Sequence, residues 1–91
     1  METRWSPDAL DDAERVMTFL ARRSPSAAQR AWRRILHSLS LLSESPRLGH
    51  VVDGELRALF VPFGASGYVI RYRLRTEELV IARLWHAREE R

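Results

Sequence analysis

Tyr68-Val69-Ile70-Arg71-Tyr72-Arg73-Leu74 alternates with period two, which makes it a strand with Arg71 and Arg73 on one face. Upstream, Leu56-Arg57-Ala58-Leu59-Phe60-Val61 reads as a second strand ending at Pro62. The cluster Gly64-Ala65-Ser66-Gly67 supplies the turn, so the two strands form a hairpin. Downstream, a turn around Arg75-Thr76-Glu77-Glu78 leads into Leu79-Val80-Ile81-Ala82-Arg83-Leu84-Trp85-His86. This run is apolar on both faces until Arg83, which predicts a strand inside the sheet.

Two helices precede the sheet, each opened by a serine able to cap and a proline at the first helical position: Ser6-Pro7-Asp8 and Ser24-Pro25-Ser26. In the first, Ala9, Leu10, Ala13, Val16, Met17 and Leu20 recur at helical spacing. Asp8, Asp11 and Asp12 sit at the positive end of the dipole, and Arg22 and Arg23 close the other end. In the second, Ala28, Ala31, Trp32, Ile35, Leu36, Leu39 and Leu42 form a stripe, and the helix is expected to stop near Ser43, before Pro46 and Gly49. The minimal joint favours an antiparallel pair. Thr3-Arg4-Trp5 is long enough for one more short strand. The expected architecture is α+β: a short N-terminal strand, an antiparallel helical hairpin, then a three-stranded antiparallel meander, with the helices packed on one face of the sheet as a single domain, 1–91.

The 91 residues include no cysteine, which excludes a disulfide framework, a thiolate zinc site and a cysteine nucleophile. Met1 is followed by Glu2 and Arg4 rather than a basic-then-apolar leader, and no apolar run approaches membrane length. A cytoplasmic protein with no membrane contact is expected. All fifteen cations are arginine, which removes P-loop and Schiff-base chemistry and leaves arginine, carboxylate and histidine as working groups. Arginine suits bidentate carboxylate or phosphate contacts, although a GC-rich genome yields the same bias without any function.

His86 ends the last strand beside arginines and is either a general acid or base or a strand-end histidine bonded to backbone. His37 lies on a helix surface and His50 in a loop, and no pair of histidines or carboxylates has metal-ligand spacing. No metal and no cofactor are expected. Arg57, Arg73 and Arg83 come from three successive strands and would form an anion patch if they shared a face; a solvated sheet face is the plain alternative. Trp5, Trp32 and Trp85 are better read as core or sheet-end packing than as base-stacking platforms. Arg30, Arg33 and Arg34 form a charged helix face, convenient for an acidic partner.

The strings Ser6-Pro7-Asp8-Ala9-Leu10-Asp11-Asp12, Ser45-Pro46-Arg47-Leu48-Gly49 after the second helix, Leu56-Arg57-Ala58-Leu59, Tyr68-Val69-Ile70-Arg71-Tyr72-Arg73 and Ile81-Ala82-Arg83-Leu84-Trp85-His86-Ala87-Arg88 together resemble the RelE/ParE toxin superfamily over nearly the whole chain. The resemblance implies the toxin of a type II toxin–antitoxin operon, of the kind linked to plasmid stabilisation. A small antitoxin would neutralise it, forming a hetero-oligomer and reaching DNA only through that complex. RelE-like members are ribosome-dependent messenger-RNA endonucleases whose strand usually reads Tyr-Arg-hydrophobe-hydrophobe-Tyr. Here Val69 follows Tyr68 and the assisting lysines are absent. ParE-like members carry the Tyr-Val-Ile-x-Tyr-Arg form and a Trp/Leu-His ending, as here, and block DNA gyrase by binding. The resemblance therefore points to a ParE-like gyrase inhibitor held by a ribbon-helix-helix, ParD-like antitoxin, with no catalytic residues. Arg73, Arg83, Trp85, His86 and Arg88 would carry toxicity, and Arg30, Arg33 and Arg34 would meet the antitoxin. The alternative is an endonuclease rebuilt on Arg57, Arg83 and His86; an inert relative is a third possibility.

Overall fold

In the computed structural model, which describes residues 1–89, a strand β1 (Glu2–Trp5) leads into helices α1 (Pro7–Arg23) and α2 (Pro25–Glu44), followed by β2 (His50–Asp53), β3 (Leu56–Phe63), β4 (Ser66–Leu74) and β5 (Glu78–His86). The caps act as the sequence implies. Ser6 Oγ accepts from the Ala9 N–H at 3.0 Å and donates to the Ala82 carbonyl, which ties the start of α1 to β5. Ser24 serves both helices: its N–H closes α1 on the Leu20 carbonyl, and its Oγ accepts from the Ala27 N–H to open α2. A single-residue joint leaves the two helices side by side.

The sheet order is β1-β5-β4-β3-β2, with β1 parallel to β5 and the other pairs antiparallel. The meander thus gains a fourth strand, because the segment expected to be a loop around His50 is β2. Val51 and Val52 favour extended backbone, but a four-residue run with a bulge at Val52 is too short to show alternation. The strand β3 also runs past its expected end at Pro62 to Phe63, and the turn shrinks to Gly64-Ala65, with Gly64 at φ +60°. A proline at a strand end loses no inner ladder bond, and the Pro62 carbonyl still accepts from Arg34.

The helices cover one face of the sheet. Ile35 and Leu42 of α2 and Val16 of α1 meet Ile70, Tyr72, Leu79, Ile81 and Leu84 in a single core. Leu79, Ile81 and Leu84 do not share one parity, yet all three are buried there. Tyr72 pairs with Ile81 and Arg71 with Arg83, so Ala82 is a bulge that resets the alternation of β5. Among the described residues no helix is long and apolar enough to cross a membrane.

Candidate functional site: two faces and a buried carboxylate

Register divides the arginines. Arg57 pairs with Tyr72, whose ring is in the core, so Arg57 belongs to the helix side; its guanidinium donates to the carbonyls of Gly49 (2.8 Å) and Arg47 (3.3 Å). Arg71 and Arg73 share the helix-free face, as their spacing requires. Arg73 is 4.0 Å from the Glu55 carboxylate. Arg83 stands opposite Arg71, but its side chain reaches Asp12 of α1, with Nε at 2.8 Å. The three arginines from successive strands therefore do not converge on one anion site. The reason is the difference in strand parity at Arg57 and the pull of Asp12 on Arg83.

Asp12 is 4% exposed, the one buried charged residue among those described. Beyond the end of β1 the edge of β5 is open, and the Leu84 N–H there donates to Asp12 at 2.9 Å; Arg83 and Arg15 complete the shell. Burial by itself would raise the carboxyl's pKa. The hydrogen bonds from Arg83, Leu84 and Arg15 and the charge of Arg83 outweigh it and lower it from 3.8 to about 2. The same carboxylate keeps Arg83 protonated beyond its ordinary range. Asp12, expected only to complement the helix dipole, shares with Ala9, Ala13 and Val16 the i, i+3, i+4, i+7 spacing of a buried face.

Arg15 also pairs with Glu89, whose carboxylate accepts the His86 N–H at 2.9 Å. The Ala87 N–H bonds the Gly67 carbonyl, and the Arg88 N–H donates to His86 Nδ1 at 3.2 Å. Residues 87–89 are thus folded back on α1 and on the start of β4. His86 pairs with Tyr68 on the helix side, its ring edge-on to the tyrosine at 5.3 Å. Burial first, and then the charge of Glu89, raise the Tyr68 pKa, so that hydroxyl stays protonated. Trp85 faces the other way, next to Val69, with the Arg71 guanidinium carbon 5.0 Å from its ring centroid. Of the five residues expected to carry toxicity, Arg73 and Trp85 lie on the helix-free face, His86 on the opposite one, Arg83 at the edge, and Arg88 in the turn after β5. Trp5 and Trp32 pack together at 5.8 Å as core residues, whereas Trp85 is buried outside that core.

Arg30, Arg33, Arg34 and His37 of α2 line an open cleft of about 630 Å³ against Pro62, Phe63 and Gly64 at the tip of the β3–β4 hairpin. Arg34 donates to the Pro62 carbonyl at 3.1 Å. A second, apolar groove of about 520 Å³ runs between the helices past Ala13, Met17, Ala21, Ala28 and Trp32. On the far side of the sheet, all four residues of β2 are exposed along an open edge. A basic cleft, an apolar groove and an open strand edge are three of the means by which a folded surface captures an extended or helical peptide.

The family profile described as "ParE toxin of type II toxin-antitoxin system, parDE" matches residues 3–91. The chain belongs to the ParE toxin family. It is 39% identical over 80 residues to Toxin RelE1 of Caulobacter vibrioides, covering 88% of this chain and 86% of that protein. It is 40% identical over 85 residues to Toxin RelE3 of the same organism, covering 93% and 92%. Among solved structures, the chromosomal ParDE toxin–antitoxin system from P. aeruginosa contains a similar fold, with a TM-score of 0.73 at 18% identity over 94% of this chain and 95% of that one. The toxin is thus a member of the RelE/ParE superfamily with its α+β architecture, a type II toxin whose relatives include proteins named for RelE.

Proposed function

We propose that this toxin arrests cells by binding DNA gyrase, without breaking bonds itself, and that a ParD-like antitoxin holds it inactive in the cytoplasm. The observation that supports binding over cleavage is the dispersal of Arg57, Arg83 and His86. Cleavage at a 2′-hydroxyl needs a base, an acid and a cation within a few ångströms of one phosphate. Arg57 and His86 pair with β4 residues four positions apart, about 13 Å along a strand. The Arg57 guanidinium is engaged by loop carbonyls, and that of Arg83 by Asp12. Gyrase supercoiling with the toxin alone, and again after mixing with the antitoxin, is the test: inhibition that the antitoxin reverses is the expected result. The names of the two Caulobacter relatives favour a second reading, a ribosome-dependent endonuclease. Messenger RNA cut on primed ribosomes by the wild type but not by His86→Ala would establish that reading instead.

The antitoxin's acidic side chains would meet the α2 arginines at the hairpin-tip cleft, while an apolar helix or strand takes the groove or the β2 edge. Charge reversal of Arg33 and Arg34 together is expected to slow association with the antitoxin by about tenfold and to flatten its salt dependence. Unchanged kinetics in stopped-flow mixing would remove that helix face from the interface.

A further inference from the structure

The helix-free face of the sheet is left open by the packing. At its centre, Arg71 lies between Ala58 and Arg83 across the strands, with Val69 and Arg73 two positions away on its own strand. Arg4 is paired with Glu78 and Arg83 is held by Asp12, while Arg73 shares the Glu55 carboxylate with Arg75, so each neighbouring cation has a carboxylate within 4.0 Å. Arg71 has none among the described residues, and its Nε is buried without a hydrogen-bond partner. Its guanidinium is fixed over Trp85. Adjacent to it runs an apolar row, Phe60, Val69 and Trp85, in which Phe60 is 50% exposed and its ring lies over Gly67, where a Cβ would come within 2.6 Å of it. An arginine pre-set on a tryptophan and flanked by an exposed aromatic has the composition of a protein-binding hot spot.

We infer that this face is the docking surface for the target protein, with Arg71 receiving a carboxylate of an acidic segment and the exposed Phe60 ring, with half-buried Val69 beside it and buried Trp85 supporting both, receiving an apolar side chain next to that carboxylate. Arg71, set on an aromatic ring and facing no carboxylate among the described residues, fits one carboxylate. A nucleic-acid backbone, whose affinity grows with each phosphate neutralised, requires several cations. The inference rests on the reading of the toxin as a binding inhibitor, and it assigns the target to the face opposite the helices that carry the antitoxin cleft.

Arg71→Glu, Arg71→Lys and the remote charge reversal Arg22→Glu are compared in three assays, with circular dichroism as the check on folding. These are growth arrest on expression without antitoxin, titration against purified gyrase, and titration against a single-stranded RNA 20-mer. Arg71→Glu is expected to relieve growth arrest and weaken gyrase binding by about 100-fold, Arg71→Lys by about tenfold, and Arg22→Glu by less than twofold. Antitoxin binding is expected to be unchanged in all three. If the wild type does not bind gyrase, the gyrase reading fails by itself; loss of growth arrest in Arg71→Glu still supports the docking face, and full arrest overturns it. Tight, steeply salt-dependent RNA binding that is lost with Arg71 would overturn it in favour of a nucleic-acid surface. Loss of antitoxin binding in Arg71→Glu would overturn it by assigning the face to the antitoxin.

Discussion

Asp12→Ala lowers the stability of the folded toxin by about 2 kcal/mol, a shift in Tm on the order of 10 °C for a domain of this size. The carboxyl titrates at about 2 in place of 3.8, which corresponds to about 2 kcal/mol favouring the folded, ionised form. That figure already contains the hydrogen bond from the Leu84 N–H, which loses its acceptor at the β5 edge in the variant. The pH dependence has a definite sign. Because the folded pKa lies below the unfolded one, the unfolded chain takes up the proton first as pH falls, and the contribution of Asp12 is complete above about pH 4 and lost on the way down through pH 2. Asp12→Asn retains an acceptor for Leu84 but not the charge, so its denaturant-unfolding stability should be flatter than the wild type's between pH 4 and pH 2. Parallel curves for the two proteins would show that Asp12 is not the group responsible. Hydrogen exchange at Leu84 should quicken in Asp12→Ala, and exchange in the tail to Glu89 in both variants, because Arg15 reaches Glu89 and the Asp12 carboxylate together.

Tyr72→Phe is expected to cost about 2–3 kcal/mol without disturbing the ring's packing. The hydroxyl donates to the Pro46 carbonyl at 2.7 Å and accepts from the Gly49 N–H at 2.9 Å, which fastens the loop after α2 to the middle of the sheet. Burial raises this phenol's pKa against the opposing Gly49 bond and the Arg57 charge, so it stays protonated and able to donate. Gly49→Ala should be at least as damaging, since a Cβ there would stand 2.6 Å from the Ala58 carbonyl oxygen and 2.7 Å from the Tyr72 hydroxyl. Part of the Gly49→Ala clash is with the hydroxyl itself, so the two changes should be less than additive in equilibrium unfolding. Full additivity would mean that the loop is held by other contacts. Loosening this loop frees β2, so loss of antitoxin binding in Tyr72→Phe at full occupancy of the fold would implicate the β2 edge in capture.

The elements were legible because their signals are local. Ser6-Pro7 and Ser24-Pro25 start helices through bonds to residues three positions on, and the alternation from Tyr68 to Leu74 assigns Arg71 and Arg73 to one face without reference to any other strand. The resemblance to the toxin superfamily rested on the order of such local strings, and membership in the ParE family agrees with it. His50, expected in a loop, opens the strand His50–Asp53, because a short edge strand with a bulge has almost no periodicity of its own; its pairing with β3 defines it.

The two helices, the hairpin, the interior position of the last strand and the absence of thiol and lysine chemistry follow from local residue order and composition. What the arginines do follows from packing. The bulge at Ala82 resets the faces of β5, the parity of β3 sends Arg57 to the helix side, and the open edge beyond β1 draws Arg83 to Asp12, while Arg71 faces no carboxylate among the described residues. Such outcomes depend on register between segments up to about 70 residues apart in sequence. A period-two pattern says which side chains share a face of their own strand, but only the packed sheet says which face is covered and which charges meet.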